Sequence, residues 1–157
     1  MSVERVRKYL EQFGFADRVM EFEVSSATVE LAADALGTAP CRIAKTLSFV
    51  GQDAPILIVT AGDARIDNHL FKARFSVKAK MLSPNEVVAR VGHAVGGVCP
   101  FDVNDGVRVY LDESLKRFET VFPACGSANS AIELTIAELE TCARPISWVD
   151  VCKDWRD

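Results

Sequence analysis

Central to this chain is the stretch Arg42-Ile43-Ala44-Lys45-Thr46-Leu47-Ser48-Phe49. Its apolar and β-branched residues favour a strand over Ile43 to Val50, and a second run of the same kind covers Pro55 to Thr60. Between them, Gly51-Gln52-Asp53-Ala54 supplies residues that favour a turn. The two runs therefore predict a β-hairpin in the first half of the chain.

Short elements flank this hairpin on both sides. Before it, a helical stripe that stops at Gly14 predicts a first helix, and Val19 to Val24 alternates as a strand. Thr28 to Leu36 then predicts a helix that Ser26 or Thr28 caps and that Gly37 ends. After the hairpin the predicted helices are Asp67 to Arg74, Ser83 to Val91, Asp112 to Arg117 and Ile136 to Cys142. The predicted strands there are Val107 to Leu111, Glu119 to Ala124, Ala131 to Leu134 and Ile146 to Val149.

The order of these elements bounds the fold class. Strands and helices mix without the regular β-α-β alternation of a doubly wound sheet, which predicts an α+β fold with a mixed, largely antiparallel sheet flanked by short helices. No repeat, low-complexity tract or Pro/Ser-rich linker divides the chain, and 157 residues suffice for one core. We expect residues 1–157 to form a single domain.

Composition excludes several classes of protein. Hydrophobic residues make up 49% and no apolar run approaches the roughly 18 residues of a membrane span, while the N-terminal residues lack a signal peptide's apolar centre. A cytoplasmic protein with no membrane partner is expected. The five cysteines are odd in number and form no C-x-x-C pair, and neither histidine has zinc-finger spacing, so we expect no disulfide framework, metal or cofactor.

Lys45 is the first candidate site residue. Period-two alternation places it on the same strand face as Ile43 and Leu47, where a buried ammonium needs an anionic or dipolar partner. That partner is either a structural carboxylate or the phosphate or carbonyl of a ligand. The alternative is a lysine whose stem is buried and whose charge reaches the surface.

A loop with three glycines and a proline, Gly92-His93-Ala94-Val95-Gly96-Gly97-Val98-Cys99-Pro100-Phe101, is the second candidate. Glycine permits close approach to the backbone and proline removes a donor, so such a loop can present N–H groups to a small polar ligand. A plain turn between strands is the alternative. Cys99, with His93 nearby, is either a wall residue of a pocket or a thiol nucleophile, and we favour the wall because a thiolate needs a placed base.

A third segment, Ala124 to Thr135, is crowded with small and hydroxyl-bearing residues. Ser127, Asn129 and Ser130 offer hydrogen-bonding groups there, although a tight turn would have the same composition. No G-x-S-x-G elbow is present, which argues against a serine nucleophile.

Five cations fall within the 16 positions from 65 to 80: Arg65, Lys72, Arg74, Lys78 and Lys80. The net charge of −4 argues against a dedicated, strongly basic nucleic-acid binder. One basic face remains compatible with binding a phosphate backbone, and a solvated surface is the alternative interpretation of the same charges.

Taken together, three separated motifs resemble the YbaK-type trans-editing proteins, a family that also occurs as the editing insertion of bacterial prolyl-tRNA synthetase. The motifs are Arg42 to Phe49, Gly92 to Phe101, and Gly126-Ser127-Ala128-Asn129 leading into Ala131 to Thr135. Thr28 to Gly37 is similar to the family's early helix, so the resemblance spans roughly residues 20 to 140. Two positions depart from it: many relatives carry Ser at Cys99, and most carry Gly at Asp102.

The resemblance implies the family's α+β editing fold and deacylation of mischarged tRNA, with tRNAPro as the expected tRNA. Lys45, Gly97 and Ser127 then take the catalytic positions, with ester hydrolysis or substrate-assisted cyclisation as the reaction. The expected substrate-binding residues are Phe22, His93, Gly96, Val98, Cys99, Pro100, Phe101 and Asn129. Lys72, Arg74, Lys78 and Lys80 would contact the tRNA.

Chemistry alone is compatible with this expectation. An aminoacyl ester is already activated, so its hydrolysis needs positioning and a polarised carbonyl more than a strong base. The backbone N–H groups of residues 96–98 would hold the oxyanion and Lys45 would supply positive charge. The expected partners are the acceptor end of mischarged tRNA and, as a further candidate, an aminoacyl-tRNA synthetase. Alternatives are a non-catalytic tRNA-end or small-ligand binding module and a Cys99-dependent hydrolase.

Overall fold

The structure is a computed structural model that describes residues 2–156. A six-stranded sheet with the strand order β8-β6-β2-β3-β5-β9 lies at its centre, and two small two-stranded pairs, β1-β7 and β4-β10, lie beside it. The strands are β1 Met20–Glu21, β2 Ile43–Phe49, β3 Ile56–Ala61, β4 Arg65–Ile66, β5 Arg108–Asp112, β6 Thr120–Pro123, β7 Ser130–Ala131, β8 Leu134–Thr135, β9 Ser147–Val149 and β10 Cys152–Lys153.

The predicted hairpin forms the middle of the sheet. β2 pairs antiparallel with β3, with Lys45 opposite Thr60, and every residue of β3 is buried. β5 then adds parallel to β3 and β9 parallel to β5, while β6 lies parallel to β2 and β8 antiparallel to β6. Parallel neighbours need long crossovers, and residues 62–107 supply the one between β3 and β5. The α+β class with a mixed sheet is confirmed; of the five pairings described in the six-stranded sheet, two are antiparallel and three are parallel.

Helices surround the sheet and begin at the caps that their sequences favour. They are α1 Ser2–Glu11, α2 Val29–Leu36, α3 Asn68–Phe75, α4 Pro84–Glu86 and α5 Ile136–Ala143. Ser83 and Thr135 each form a capping box, and Thr28 caps α2 by accepting a bond from the Leu31 N–H. No helix of the described part of the chain is both long enough and apolar enough to cross a membrane.

A helical turn of π type continues α4 through Val87–Val91 and ends at Gly92, whose φ is 101°. The wide turn and the left-handed residue after it redirect the chain into the loop of residues 92–101. Such π turns often occur at functional sites. The predicted helix over Ser83 to Val91 is thus present, with an irregular second half that its sequence does not indicate.

Two apolar clusters hold the layers together. The larger one contains the sheet interior, α1 through Val6 and Leu10, and the C-terminal residues Val149 and Val151. The smaller one seats α2 on the sheet through Ala32, Ala33, Ile43 and Phe122. This second contact places the N-terminal end of α2 beside β2.

The structure differs from the sequence pattern mainly at short strands. Only Met20–Glu21 of the segment Val19 to Val24 is a strand, and Val24 is largely exposed. β4 and β10 pair with each other although neither was predicted. Two-residue strands carry almost no periodic signal, and their partners lie far away in the sequence, which explains both differences.

Candidate functional site

A cavity of about 330 Å³ opens where β2, the N-terminal end of α2 and the loop of residues 92–101 meet. This volume lies at the lower end of the range for small-molecule sites, roughly 300–1,000 Å³. Its walls are mainly apolar, with Lys45 and several hydroxyl-bearing residues among them. The lining includes Ser26, Thr28, Val29, Ile43, Lys45, Thr46, Leu82, Val87, Val95, Gly96, Val98, Phe122 and Ser130.

The glycine-rich loop reaches the cavity by packing directly on the turn of residues 124–130. A Cβ atom at Gly97 would lie 2.6 Å from the backbone C of Gly126 and 2.6 Å from the backbone N of Ser127, too close for any side chain. A Cβ at Gly96 would lie 3.4 Å from Ala27 and from Ala128. Glycine at position 97 therefore allows the two backbones to touch and closes one wall of the cavity.

Residues 22–28 form the third side of this junction. The N–H of Ser26 donates to the carbonyl of Ala128 at 2.6 Å, and the N–H of Phe22 donates to the carbonyl of Asn129 at 2.8 Å. Three segments that are distant in sequence thus converge beside β2. The pairing of β1 with β7 fixes this wall, because residues 22–28 run directly from β1 to α2.

Lys45 lies on the cavity wall at the edge of the apolar interior. Its Nζ donates to the carbonyl of Ala64 at 2.6 Å and to that of Gly62 at 3.4 Å. Burial lowers the pKa of this lysine, and within residues 2–156 no carboxylate forms an ion pair with it. An ammonium has three N–H donors, so at least one remains for a ligand. The structure thus supplies dipolar partners for Lys45 and leaves its charge unneutralised.

Two buried hydroxyls lack a hydrogen-bond partner, and both belong to cavity residues. Ser26 Oγ and Thr46 Oγ1 bond to no group within residues 2–156. An unpaired buried polar atom costs about 1–3 kcal/mol. A ligand with polar groups would remove that cost if either side chain rotated its shielded hydroxyl toward the cavity. The sequence singled out Ser26 only as a helix cap and did not single out Thr46. No periodic signal distinguishes an unpartnered hydroxyl from a bonded one.

Ser127 lies behind the cavity wall instead of on its surface. Its Oγ lies 2.9 Å from Asn129 Oδ1 and 2.8 Å from Ser130 Oγ, within donating distance of both. Asn129 in turn donates to the carbonyl of Phe22 at 2.9 Å. The structure therefore brings Phe22, Ser127 and Asn129 together as a network that shapes the turn, while Ser130 is the serine that lines the cavity.

Within the glycine-rich loop, only part of the predicted set lines the cavity. Gly96 and Val98 do, whereas Pro100 is buried away from it and His93, Cys99 and Phe101 are at most 1% exposed, with Cys99 and Phe101 in the main core. The chain turns at Gly96, whose φ is 93°, and residues 99–101 beyond this turn are all buried.

Cys99 and His93 are close together but poorly arranged for thiol chemistry. His93 Nε2 lies 2.7 Å from the carbonyl of Phe101, which can only accept, so this nitrogen carries the proton and donates. The same nitrogen lies 3.7 Å from Cys99 Sγ and therefore cannot take the thiol proton. Burial raises the pKa of Cys99 to about 12. A thiolate at neutral pH is disfavoured by geometry and by burial alike.

Arg5 of α1 ties the two ends of this loop together. Its Nε donates to Asp102 Oδ2 at 2.6 Å, its Nη2 to the carbonyl of Asp102 at 2.7 Å, and its Nη1 to the carbonyl of Gly92 at 3.2 Å. Asp102 adopts a φ of 50°, a region that glycine enters without strain. An aspartate here strains the backbone more than a glycine would, but its carboxylate gains the contact with Arg5 of α1.

The oxyanion donors expected from the loop are only partly available. The N–H of Gly97 donates to the carbonyl of Ala94 at 3.0 Å and is already used. The N–H groups of Gly96 and Val98, which flank it on the cavity wall, donate to no carbonyl of the described residues. Gly97 thus contributes space for close packing, and its two neighbours keep free donors.

The predicted tRNA-contacting cations are spread along residues 72–80. All four are exposed, but Arg74 stacks over the rings of Phe75 and Tyr110, on the side of the sheet where β5 and β9 lie. Lys80 instead precedes Met81, whose side chain lines the cavity, and its carbonyl accepts the N–H of Val50 at 2.8 Å. Lys78 lies between them in the sequence, and Lys72 precedes Arg74 on α3.

Comparison with known proteins gives three consistent findings. The sequence pattern of the aminoacyl-tRNA editing domain matches residues 23–142. The uncharacterized protein YwhH of Bacillus subtilis (strain 168) is 57% identical over 99% of both chains. The proline–tRNA ligase of Thermotoga neapolitana is 29% identical over 57% of this chain, a match that spans only 15% of the ligase.

A solved structure shares the whole fold. The crystal structure of a candidate trans-editing enzyme for prolyl tRNA synthetase superimposes with a TM-score of 0.87, covers 97% of both chains and is 31% identical. Its coverage extends beyond the matched domain pattern to include most of α1 and the C-terminal strands.

Proposed function

The chain belongs to the aminoacyl-tRNA editing domain family, and on this premise we propose that it is a deacylase that removes a wrong amino acid from mischarged tRNA. The reaction is cleavage of the ester between the amino acid and the terminal adenosine. We propose tRNAPro as the tRNA, because proline–tRNA ligases are among the relatives. We further propose that residues 1–157 act as one editing domain, since α1 and the C-terminal residues pack on the same core as the matched region.

The position of Lys45 is the observation that carries this proposal. An ammonium held by backbone carbonyls at the wall of a mainly apolar cavity is placed to attract an ester carbonyl and the negative charge that develops on its oxygen. A low-dielectric wall strengthens that attraction relative to water. The free N–H groups of Gly96 and Val98 supply further donors on the same cavity.

The remaining walls fit an aminoacyl group. Val29, Leu82 and Val98 offer apolar contact to a side chain, and a rotation of the Ser26 or Thr46 hydroxyl toward the cavity would let it accept an N–H bond from the α-ammonium. The ammonium would lie away from Lys45, because like charges repel. These contacts orient the ester so that its carbonyl oxygen, and not its amine, approaches Lys45.

Water is the nucleophile in the simplest form of this reaction. Its oxygen bonds to the ester carbonyl carbon, the bond from that carbon to the ribose oxygen breaks, and the ribose oxygen takes up a proton. A ribose hydroxyl of the substrate can orient the water; with a thiol-bearing amino acid, the substrate's own sulfur can attack instead, closing a ring. Gly97 and Ser127 act in this proposal through the wall they build, and Ser130 is the serine at the cavity.

Recognition of the tRNA would use the exposed cations next to the cavity. Lys80 immediately precedes Met81, which lines the cavity, and Lys78 lies two positions before Lys80; both positions suit contact with phosphates near the acceptor end. Because the chain is acidic overall, with a net charge of −4, we propose that an aminoacyl-tRNA synthetase assists delivery of the tRNA. Binding of tRNA should weaken steeply as salt is added.

Deacylation of a charged panel tests the proposal. tRNAPro carrying Ala, Ser, Cys or Thr is incubated with the wild-type protein, with Lys45→Ala and with Lys116→Ala, a control lysine that is paired with Glu113 at 2.9 Å on the surface. We expect wild type and Lys116→Ala to cleave at least one ester above the spontaneous rate, and Lys45→Ala to be about 100-fold slower.

Two outcomes would contradict this. If the wild-type protein binds tRNAPro but cleaves none of the four esters, the chain is a binding module and the deacylase proposal fails. If Lys45→Ala cleaves as fast as Lys116→Ala, the reaction does not depend on the charge at the cavity wall, and the assignment of Lys45 fails.

A further inference from the structure

A second cleft, of about 130 Å³, lies where the hairpin turn meets the end of α3 and the start of β5. Gly51 and Gln52 come from the turn, and Arg74, Arg108 and Tyr110 form the rest of its polar lining. Two arginines and a tyrosine thus line a space large enough for a small ion. No part of the proposed editing reaction uses this cleft.

Arg74 is held in place before any ligand arrives. Its guanidinium lies 5.1 Å from the ring centre of Phe75 and 5.4 Å from that of Tyr110, and its Nη2 donates to Ser147 Oγ at 3.2 Å. Within residues 2–156 it forms no ion pair. A stacked arginine with most of its donors unused is pre-organised to bind an anion, because little conformational entropy is lost on binding.

Arg108 adds a second, weakly compensated charge. Its one carboxylate partner in the described chain is Asp53, at 3.9 Å, and the two side chains are 49% and 79% exposed. An exposed pair at that distance contributes little. Two guanidinium groups that share one cleft repel each other, so an anion between them lowers the energy of both.

We infer that this cleft binds a phosphate group at the acceptor end of the tRNA. Guanidinium groups match phosphate oxygens in a bidentate fashion, and a tyrosine hydroxyl can donate to a third oxygen. This rests on the proposed function, because it takes a tRNA as the molecule that carries the phosphate. Arg108 and Tyr110 come from β5, outside the basic run of residues 65–80.

The cleft is joined to the cavity by a short path. Met81 lines the cavity, Lys80 precedes it, and the Lys80 carbonyl accepts the N–H of Val50, the neighbour of Gly51 in the cleft. Lys80 lies on this path, so an acceptor end that spans the cavity and the cleft would pass this cation next to the arginines. A phosphate held there would fix the direction in which the acceptor end enters the cavity.

Binding of uncharged tRNAPro tests this without any ester cleavage. Dissociation constants are measured across a KCl series for wild type, Arg108→Gln, Arg74→Gln and the control Arg156→Gln, an exposed arginine that pairs with Asp150 at 2.7 Å. We expect Arg108→Gln and Arg74→Gln each to weaken binding about tenfold at low salt, and to reduce the slope of log Kd against log salt by about one. Thermal melting of each variant checks that the fold is retained, and Arg108→Gln is decisive because, within residues 2–156, the Arg108 guanidinium stacks on no aromatic ring.

The inference fails if Arg108→Gln matches Arg156→Gln in both affinity and salt slope. Two acceptor-stem minihelices, one with a 5′-phosphate and one with a 5′-hydroxyl, distinguish the source of the phosphate. If the effect of Arg108→Gln disappears with the 5′-hydroxyl minihelix, the cleft holds the terminal monoester; if it persists, the cleft holds a backbone diester. Binding through Arg108 without cleavage of any ester refutes only the proposed function, whereas cleavage with unchanged Arg108→Gln binding refutes only this inference.

Discussion

Replacing Gly97 with alanine tests the closest backbone contact of the site. The new Cβ would lie 2.6 Å from the Gly126 carbonyl carbon, 2.6 Å from the Ser127 nitrogen and 2.7 Å from the Ser127 Cα. Carbon atoms in ordinary contact lie about 3.5–4.0 Å apart, so the loop and the turn must separate by about 1 Å. Because all three neighbours are backbone atoms, no side chain can rotate away to relieve the clash.

The turn has little freedom to move in compensation. Gly126 already has a φ of 91°, and Ser127 is bonded to both Asn129 and Ser130. Overpacking of this kind costs about 1–3 kcal/mol of stability, and for a chain of this size each kcal/mol lowers Tm by about 2–4 °C. The same 1 Å shift moves Gly96, Val98 and their N–H groups relative to Lys45, and a misplacement of that size costs roughly 100-fold in rate.

Gly97→Ala is measured by thermal melting and by deacylation of the preferred aminoacyl-tRNAPro, with Gly106→Ala as the matched control. Gly106 has a φ of 88°, and apart from its chain neighbours no heavy atom of residues 2–156 lies within 4 Å of the position that an alanine methyl would take, so alanine there adds backbone strain of about 1 kcal/mol without a clash. We expect the control to lose some stability and to keep its activity. If Gly97→Ala melts no lower than Gly106→Ala and cleaves as fast as wild type, the loop and the turn are not in contact and our description of the cavity wall is wrong.

Three further predictions concern single side chains. Burial lowers the pKa of Lys45, so protein-catalysed deacylation, corrected for spontaneous hydrolysis, should fall as pH rises through that pKa. Lys45→Arg should remove the fall, because an arginine stays charged. Between the folded-state and the unfolded-state pKa of Lys45 the unfolded state binds more protons, so the free energy of unfolding should rise with pH over that interval. Cys99→Ser should keep deacylation within about threefold of wild type, because burial raises the pKa of the thiol to about 12 and no thiolate forms at neutral pH. Alkylation of native Cys99 at neutral pH, located by peptide mass spectrometry, should be slow. Rapid alkylation together with loss of activity in Cys99→Ser would instead support the thiol mechanism. Thr46→Val removes a buried hydroxyl that has no partner in the described chain, so Tm should stay the same or rise while KM increases about tenfold; a lower Tm with unchanged KM would contradict a role in binding.

Local sequence signals predicted most of the elements. The hairpin of β2 and β3, the caps Thr28, Ser83 and Thr135, and the helix end at Gly37 are all present where the pattern placed them. Each of these depends on residues within a few positions of one another. The pairing of β4 with β10 and the parallel addition of β5 and β9 depend on residues far apart in the chain, and no local pattern reports them.

The candidate site divides in the same way. Lys45, the glycine-rich loop and the serine-rich turn stand out as residues, and the structure brings them into one junction. Which face each residue shows was not predictable: Ser130 and not Ser127 lines the cavity, and Cys99 and His93 turn into the interior. Side-chain direction in an irregular loop follows from its positive-φ residues and its packing partners, neither of which the sequence displays.

Residue types and their spacing were enough to establish the fold class, the central hairpin, the resemblance to an editing family and the segments that matter. Only the folded chain decided that the Lys45 ammonium is bonded to carbonyls and not to a carboxylate, that Ser26 and Thr46 carry unpaired hydroxyls, and that two arginines from α3 and β5 share a cleft. The physical reason is the sequence separation over which each interaction acts. Propensity, capping and alternation act between near neighbours in sequence, whereas burial, charge compensation and hydrogen-bond satisfaction depend on which distant segments meet.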